Sequence, residues 1–223
     1  REMVRILAGL FKKRHNGWHL VTGIDPRPSN FTVDANDTVW FVDLFPPRFR
    51  KNGTPLVEWP VPESKEGLEL GHFKHFDIRG IILVLLAQLA RHRPELKEMF
   101  EEIVFDELKK HLPKKEHEEF LRDYKATPWV RLRELLKNPK QDKKKVLSLI
   151  AGAEDAKVFG VSYGVYLLRE FALELAHARL LSREELERFF KASHFEDSLP
   201  NHVHKKLTEE IVRVLGLLVD LRP

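Results

Sequence analysis

The chain contains no cysteine in its 223 residues. That absence excludes disulfide staples, thiolate zinc sites and cysteine nucleophiles, and it fits a reducing compartment. Long hydrophobic runs are also missing. The longest, from Gly80 to Ala90, is about half of the roughly 20 residues that a membrane helix needs, and it reads as a buried helix. The first residues lack the charged, apolar, small-residue order of a secretory signal, so the expected location is cytoplasmic with no membrane partner. Arg1 is not an initiator residue, which fits a processed or excised piece. Neither charge dominates: 38 Lys and Arg face 34 Asp and Glu, for a net charge of +4. With a pI near 9.2 the chain is mildly basic, too little to imply nucleic acid.

What is present is charge of both signs, 32% of the chain, as on long exposed helices. The length allows one large domain with a sizeable core. Residues 3–13 carry apolar groups at helical spacing and run into basic residues and Asn16-Gly17, a helix stop. Residues 18–22, 31–34 and 39–43 are rich in β-branched and aromatic side chains. Ala35, Asn36 and Asp37 supply a turn, so a small strand followed by a hairpin is predicted.

From residue 44 to about 71, Pro and Gly accumulate and predict a long irregular connection, a type that is often functional. Helices are then expected near 76–92, 94–111, 115–124, 128–137, 142–151, 161–179, 182–192 and 203–220. Prolines 94, 113, 128, 139 and 200 punctuate them, with a capping box from Ser182 to Glu185. The sequence shows no internal repeat. The expected fold class is α+β, predominantly helical, as one domain over 1–223 with a motif-bearing part at 1–90 and a helical body at 91–223.

One constellation carries chemistry. Asp25 is followed by Asn30 five residues later, and Asp43 stands thirteen beyond that, at the end of a predicted strand. Asp and Asn also serve ordinary turns, where their side chains bond the backbone. The order Asp, Asn, hairpin, Asp, however, is the one that phosphoryl transfer uses in kinases. There the first Asp accepts the proton of the attacking hydroxyl while the Asn and second Asp hold Mg²⁺ against the phosphates. Mg²⁺ prefers such hard oxygen ligands and takes few from protein.

The stretch Asp25-Pro26-Arg27-Pro28-Ser29-Asn30 resembles the catalytic loop of the protein-kinase-like superfamily, often Asp-Leu-Lys-Pro-x-Asn. Arg27 falls where that family places a Lys, Asp43-Leu44-Phe45 resembles its Asp-Phe-Gly element, and Asp77 resembles the Asp that opens the central helix of the C-terminal lobe and braces the loop. The resemblance implies a kinase-like C-terminal lobe with a small hairpin and a long activation-type loop. It implies Asp25 as general base or substrate-orienting group, Arg27 as phosphate contact, and Asn30 and Asp43 as metal and cofactor ligands. ATP and Mg²⁺ are the implied cofactors, with a hydroxyl acceptor that is a small molecule more readily than a protein.

The sequence also departs from the family. Gly23 and Ile24 stand where it has His-Arg or His-Gly, and Leu44 and Phe45 replace Phe-Gly. No Gly-rich phosphate loop, strand Lys or partner Glu precedes the loop, so the nucleotide-clamping lobe is expected on a missing segment or a partner chain. These departures keep a second reading open, a pseudokinase-like or helical interaction module without catalysis.

Other features read as scaffold. His72 and His75 form a surface pair at a loop-to-helix junction, with a metal site as the alternative, and His202 and His204 read the same way. The basic run from Lys137 to Lys145 could attract phosphate but reads as solvated helix ends, because no aromatic residue interleaves it. Ser162 is expected near a helix start without a preceding strand, and so not as a nucleophile. Trp40, Phe41, Phe171 and Leu175 are expected in the core.

Overall fold

The computed structural model describes residues 1–12, 14–42, 50–51, 54–55, 65–153, 155–192 and 209. Helix α1, Glu2–Phe11, buries Val4, Leu7, Ala8 and Phe11, the one-sided spacing that drives an amphipathic helix onto a core. Strands β1 (Arg14–Asn16) and β2 (His19–Leu20) follow as an antiparallel pair. Gly17 turns the chain between them at φ +49°, a left-handed conformation that suits glycine. Asn16-Gly17 therefore closes a hairpin instead of ending the helix, which stops at Phe11 before β1 begins.

A short 3₁₀ turn, Pro28–Asn30, leads into β3 (Phe31–Val33) and β4 (Val39–Phe41). Their register pairs Phe31 with Phe41, Thr32 with Trp40 and Val33 with Val39. Asp34 organises the turn, its Oδ1 accepting from the backbone N–H groups of Asn36 and Thr38, both at 2.9 Å. Asp34, Asn36 and Asp37 are thus turn residues, with Asp37 at φ +59°. Trp40 corrects the expectation of a core residue. It is 55% exposed, and its Nε1 donates to Asp34 Oδ2 at 3.0 Å.

Strands β5 (Arg50–Lys51) and β6 (Thr54–Pro55) make another short pair. Helix α2, Lys65–Phe76, then begins inside the stretch expected to be irregular. Gly67 and Gly71 and the absence of an apolar stripe hide it in the sequence. Helix α3 (Ile78–His92) is the buried apolar segment, with Ile81, Ile82, Leu85 and Leu86 almost fully enclosed.

After a 3₁₀ turn at Pro94–Leu96 come α4 (Lys97–His111), α5 (Lys114–Lys125), α6 (Pro128–Leu136) and α7 (Pro139–Ala151). Pro128 and Pro139 stand in the first turns of α6 and α7, where a missing N–H costs nothing. That is why α7 starts three residues before the expected 142.

Strands β7 (Lys157–Val158) and β8 (Val161–Ser162) pair through Phe159 and Gly160, both at positive φ. Ser162 therefore lies in a strand, contrary to expectation, and α8 (Gly164–His177) starts after it. Helix α9, Arg183–Ala192, carries the expected capping box. Glu185 N–H donates to Ser182 Oγ at 3.2 Å, and Ser182 N–H donates to Glu185 Oε2 at 2.7 Å. The helix expected over 203–220 lies outside the described residues, apart from helical Glu209.

The fold is α+β with helices dominant, and its described strands form two-stranded antiparallel pairs. The chain divides into two compact units. The first takes Arg1–His92 and Glu98–Phe120, the second Arg93–Lys97 and the chain from Leu121 onward. In the first unit α2 packs along α3, and α1 meets β4.

In the second unit α8 packs against α6 and α9, and Phe171 and Leu175 are fully buried as expected. This core also holds charge. Lys97 Nζ reaches Glu170 at 3.0 Å and Glu174 at 2.8 Å, while the Arg133 guanidinium grips both Glu174 oxygens at 2.8 Å. Burial alone would raise the Glu174 carboxyl, but Lys97 and Arg133 hold it below its usual range.

Candidate functional site

The loop that carries Asp25 is stiffened by two prolines. Arg27, preceding Pro28, is extended at φ −61° and ψ 140°, the region to which a following proline confines its neighbour. Pro28 then opens the 3₁₀ turn that ends on Asn30. This folding turns the Asn30 side chain back on the loop, and its Nδ2 donates to the Asp25 carbonyl at 3.0 Å. Asn30 N–H donates to Arg27 O at 2.9 Å, and Val42 N–H to Asn30 O at 2.8 Å. The hairpin thus returns its last described residue to Asn30.

The Asp25 carboxylate is 18% exposed and pairs with Arg27 Nε at 3.2 Å. The Arg27 side chain is 56% exposed, so this pair sits at the surface of the first unit. With Nδ2 committed to Asp25, Asn30 keeps its amide oxygen as its remaining acceptor, a hard donor of the kind Mg²⁺ takes. Asp43 lies outside the described residues. Among the described residues no three His, Cys, Asp or Glu side chains gather to hold a metal.

Contacts from the junction of α2 and α3 fix the loop's other side. Ile24 N–H donates to His75 O at 2.8 Å, and His75 Nδ1, as N–H, donates to Ile24 O at 3.1 Å. That bond selects the tautomer with its proton on Nδ1. Burial, followed by the neighbouring Lys74 charge, pushes the His75 imidazolium down from its ordinary value. Gly23 lets the Phe76 ring pack closely, since a Cβ there would lie 2.7 Å from the ring's far end and the ring would have to shift.

Asp77 is buried, and Arg79 takes its carboxylate, with Nε on Oδ1 at 2.9 Å and Nη2 on Oδ2 at 2.5 Å. Its side chain secures the start of α3, where Arg79 N–H also donates to Oδ1 at 2.9 Å. The backbone of this junction meets the β1–β2 hairpin: Asp77 bridges His19, and Ile78 N–H donates to Trp18 O at 2.9 Å. His75 bonds the Asp25 loop directly, through both Ile24 backbone groups.

The structure therefore brings Asp25, Arg27 and Asn30 together. His75, which reading by residue type treats as half of a surface pair, anchors the loop, and His72 stacks on Phe76 at 5.1 Å. No protein-family model, curated protein or solved structure matches this chain.

Proposed function

We propose that the first unit is the catalytic-loop half of a kinase-like phosphotransferase that uses ATP and Mg²⁺ to phosphorylate a hydroxyl, on a small molecule in preference to a protein. One observation carries the reading: Asn30 ties its amide nitrogen to the Asp25 main chain while Asp25 and Arg27 stand together at the surface. A carboxylate held this way is suited to take the acceptor's proton as its oxygen bonds to the γ-phosphorus and ADP departs. Arg27 would exchange its partner Asp25 for a phosphate oxygen, a pairing that guanidinium favours. Asn30 and Asp43 would hold Mg²⁺, which supplies charge neutralisation at the phosphates. Trp40 and Val42, both exposed on the hairpin that returns to Asn30, offer apolar surface for a base.

The Arg27–Asp25 ion pair also favours a second reading, because it occupies the carboxylate that a base must leave open. In that reading the lobe is a pseudokinase-like interaction module. Thermal shift and nucleotide turnover with ATP and Mg²⁺ separate the two. The enzyme reading expects a Mg²⁺-dependent shift that Asp43→Ala abolishes, and turnover that Asp25→Ala lowers by about 10²–10⁴-fold. A shift and turnover indifferent to both substitutions would favour the module.

A further inference from the structure

The second unit contains a groove of about 950 Å³ between α6 and α7, floored by the end of α5 and by β7. Its charge is one-sided. Among the described residues, Lys125, Arg131, Lys144, Lys145 and Lys157 line it against a single acid, Glu134, in a chain whose overall charges nearly balance. Glu134 does not neutralise the groove, because it pairs with Lys137 at 2.7 Å, outside the lining. Among the described residues no ion pair engages Lys125, Arg131, Lys144 or Lys157, and all four are exposed. Between the cations the wall is apolar, contributed by Pro128, Val130, Leu135 and Leu149.

We infer that this groove docks an acidic amphipathic helix of a protein partner. A groove between two helices, with apolar groups on its wall, accepts a helix's apolar face, and the flanking lysines meet carboxylates beside it. Helix α6, with 9 residues, runs about 14 Å, enough for two to three turns of a partner helix. Four of the five cations are lysine, point charges on flexible stems that suit scattered carboxylates better than the planar grip phosphate recognition favours. The described lining residues include no aromatic side chain on which nucleic-acid bases would stack. This inference does not depend on the role of the Asp25 loop.

The test is fluorescence anisotropy of the full chain with a labelled synthetic peptide of about 14 residues, with Leu on one helical face and Glu on the others. Binding should weaken with salt and fall by at least about tenfold in Lys144→Glu/Lys157→Glu, exposed positions whose change leaves the fold intact. Lys144→Gln/Lys157→Gln should show a smaller loss. Lys114→Glu, an exposed change in α5 outside the groove, should bind as the parent does. A scrambled peptide of the same composition that binds equally well would overturn the helical partner. Anionic vesicles or a DNA duplex bound more tightly, with the same variant dependence, would overturn the protein partner. Unchanged peptide binding in the double Glu variant would overturn the site.

Discussion

Asn30 holds the Asp25 main chain from five residues away, its Nδ2 donating to the Asp25 carbonyl at 3.0 Å. The same residue accepts the Val42 N–H at 2.8 Å, so one side chain and one carbonyl couple the loop to the hairpin. The geometry of the proposed site depends on this coupling.

Gly80 sets how closely α2 can approach α3. A Cβ at that position would lie 2.1 Å from the Phe73 carbonyl oxygen and 2.6 Å from its carbon, both backbone atoms that cannot rotate aside. Gly80→Ala should therefore destabilise the first unit by about 2 kcal/mol or more and lower its thermal midpoint by about 5 °C. Gly9→Ala, where an added Cβ meets nothing within 4 Å, is the control and should not lower the midpoint. Calorimetry of both variants checks the contrast.

His75 predicts a pH dependence. Its folded-state pKa is depressed, chiefly by burial, so the folded chain binds the proton less readily than the unfolded chain does. Its contribution is complete above the unfolded value of about 6.5, and it declines as pH falls toward the folded-state value. His75→Gln keeps a donor for Ile24 O without the titration. Subtracting its urea-unfolding profile from that of the parent should give a slope just below about pH 6.5, with stability rising with pH.

The buried charges of the second unit give a third expectation. Lys97→Met removes the buried ammonium that Glu170 and Glu174 share, at a cost of about 3–5 kcal/mol. Adding Glu170→Met removes one of the two carboxylates that Lys97 paired with and should recover part of that loss. Denaturant midpoints of the single and double variants measure the coupling directly.

Legibility in the sequence followed the range of the interactions. Prolines 94 and 128 and the Ser182 capping box located element starts because their effects are local, whereas α7 begins at Pro139, ahead of the expected 142. Helix α2 was hidden because its two glycines and weak stripe contradict local propensity, and packing along α3 outweighs them. Strands β7 and β8, two residues each, are too short for a periodic signal, although Phe159-Gly160 is turn chemistry. At the candidate site, Asp25 and Asn30 stand out by their spacing, and Arg27 by the loop's resemblance to the kinase-like pattern. The His75 anchor does not, because it lies 51 residues from Ile24 in sequence. Trp40 was misplaced because an aromatic residue in a hairpin suggests core, whereas Asp34 gives its indole a partner at the surface.

The most direct test of the central claim follows the Asn30 side-chain amide by NMR while Mn²⁺ replaces Mg²⁺ in the presence of ATP. The proposed site predicts selective paramagnetic broadening of that amide and of the backbone amides of Asp25, Arg27, Ser29, Asn30 and Phe31, abolished by Asp43→Ala. Sharp resonances there under conditions in which ATP binds would contradict it.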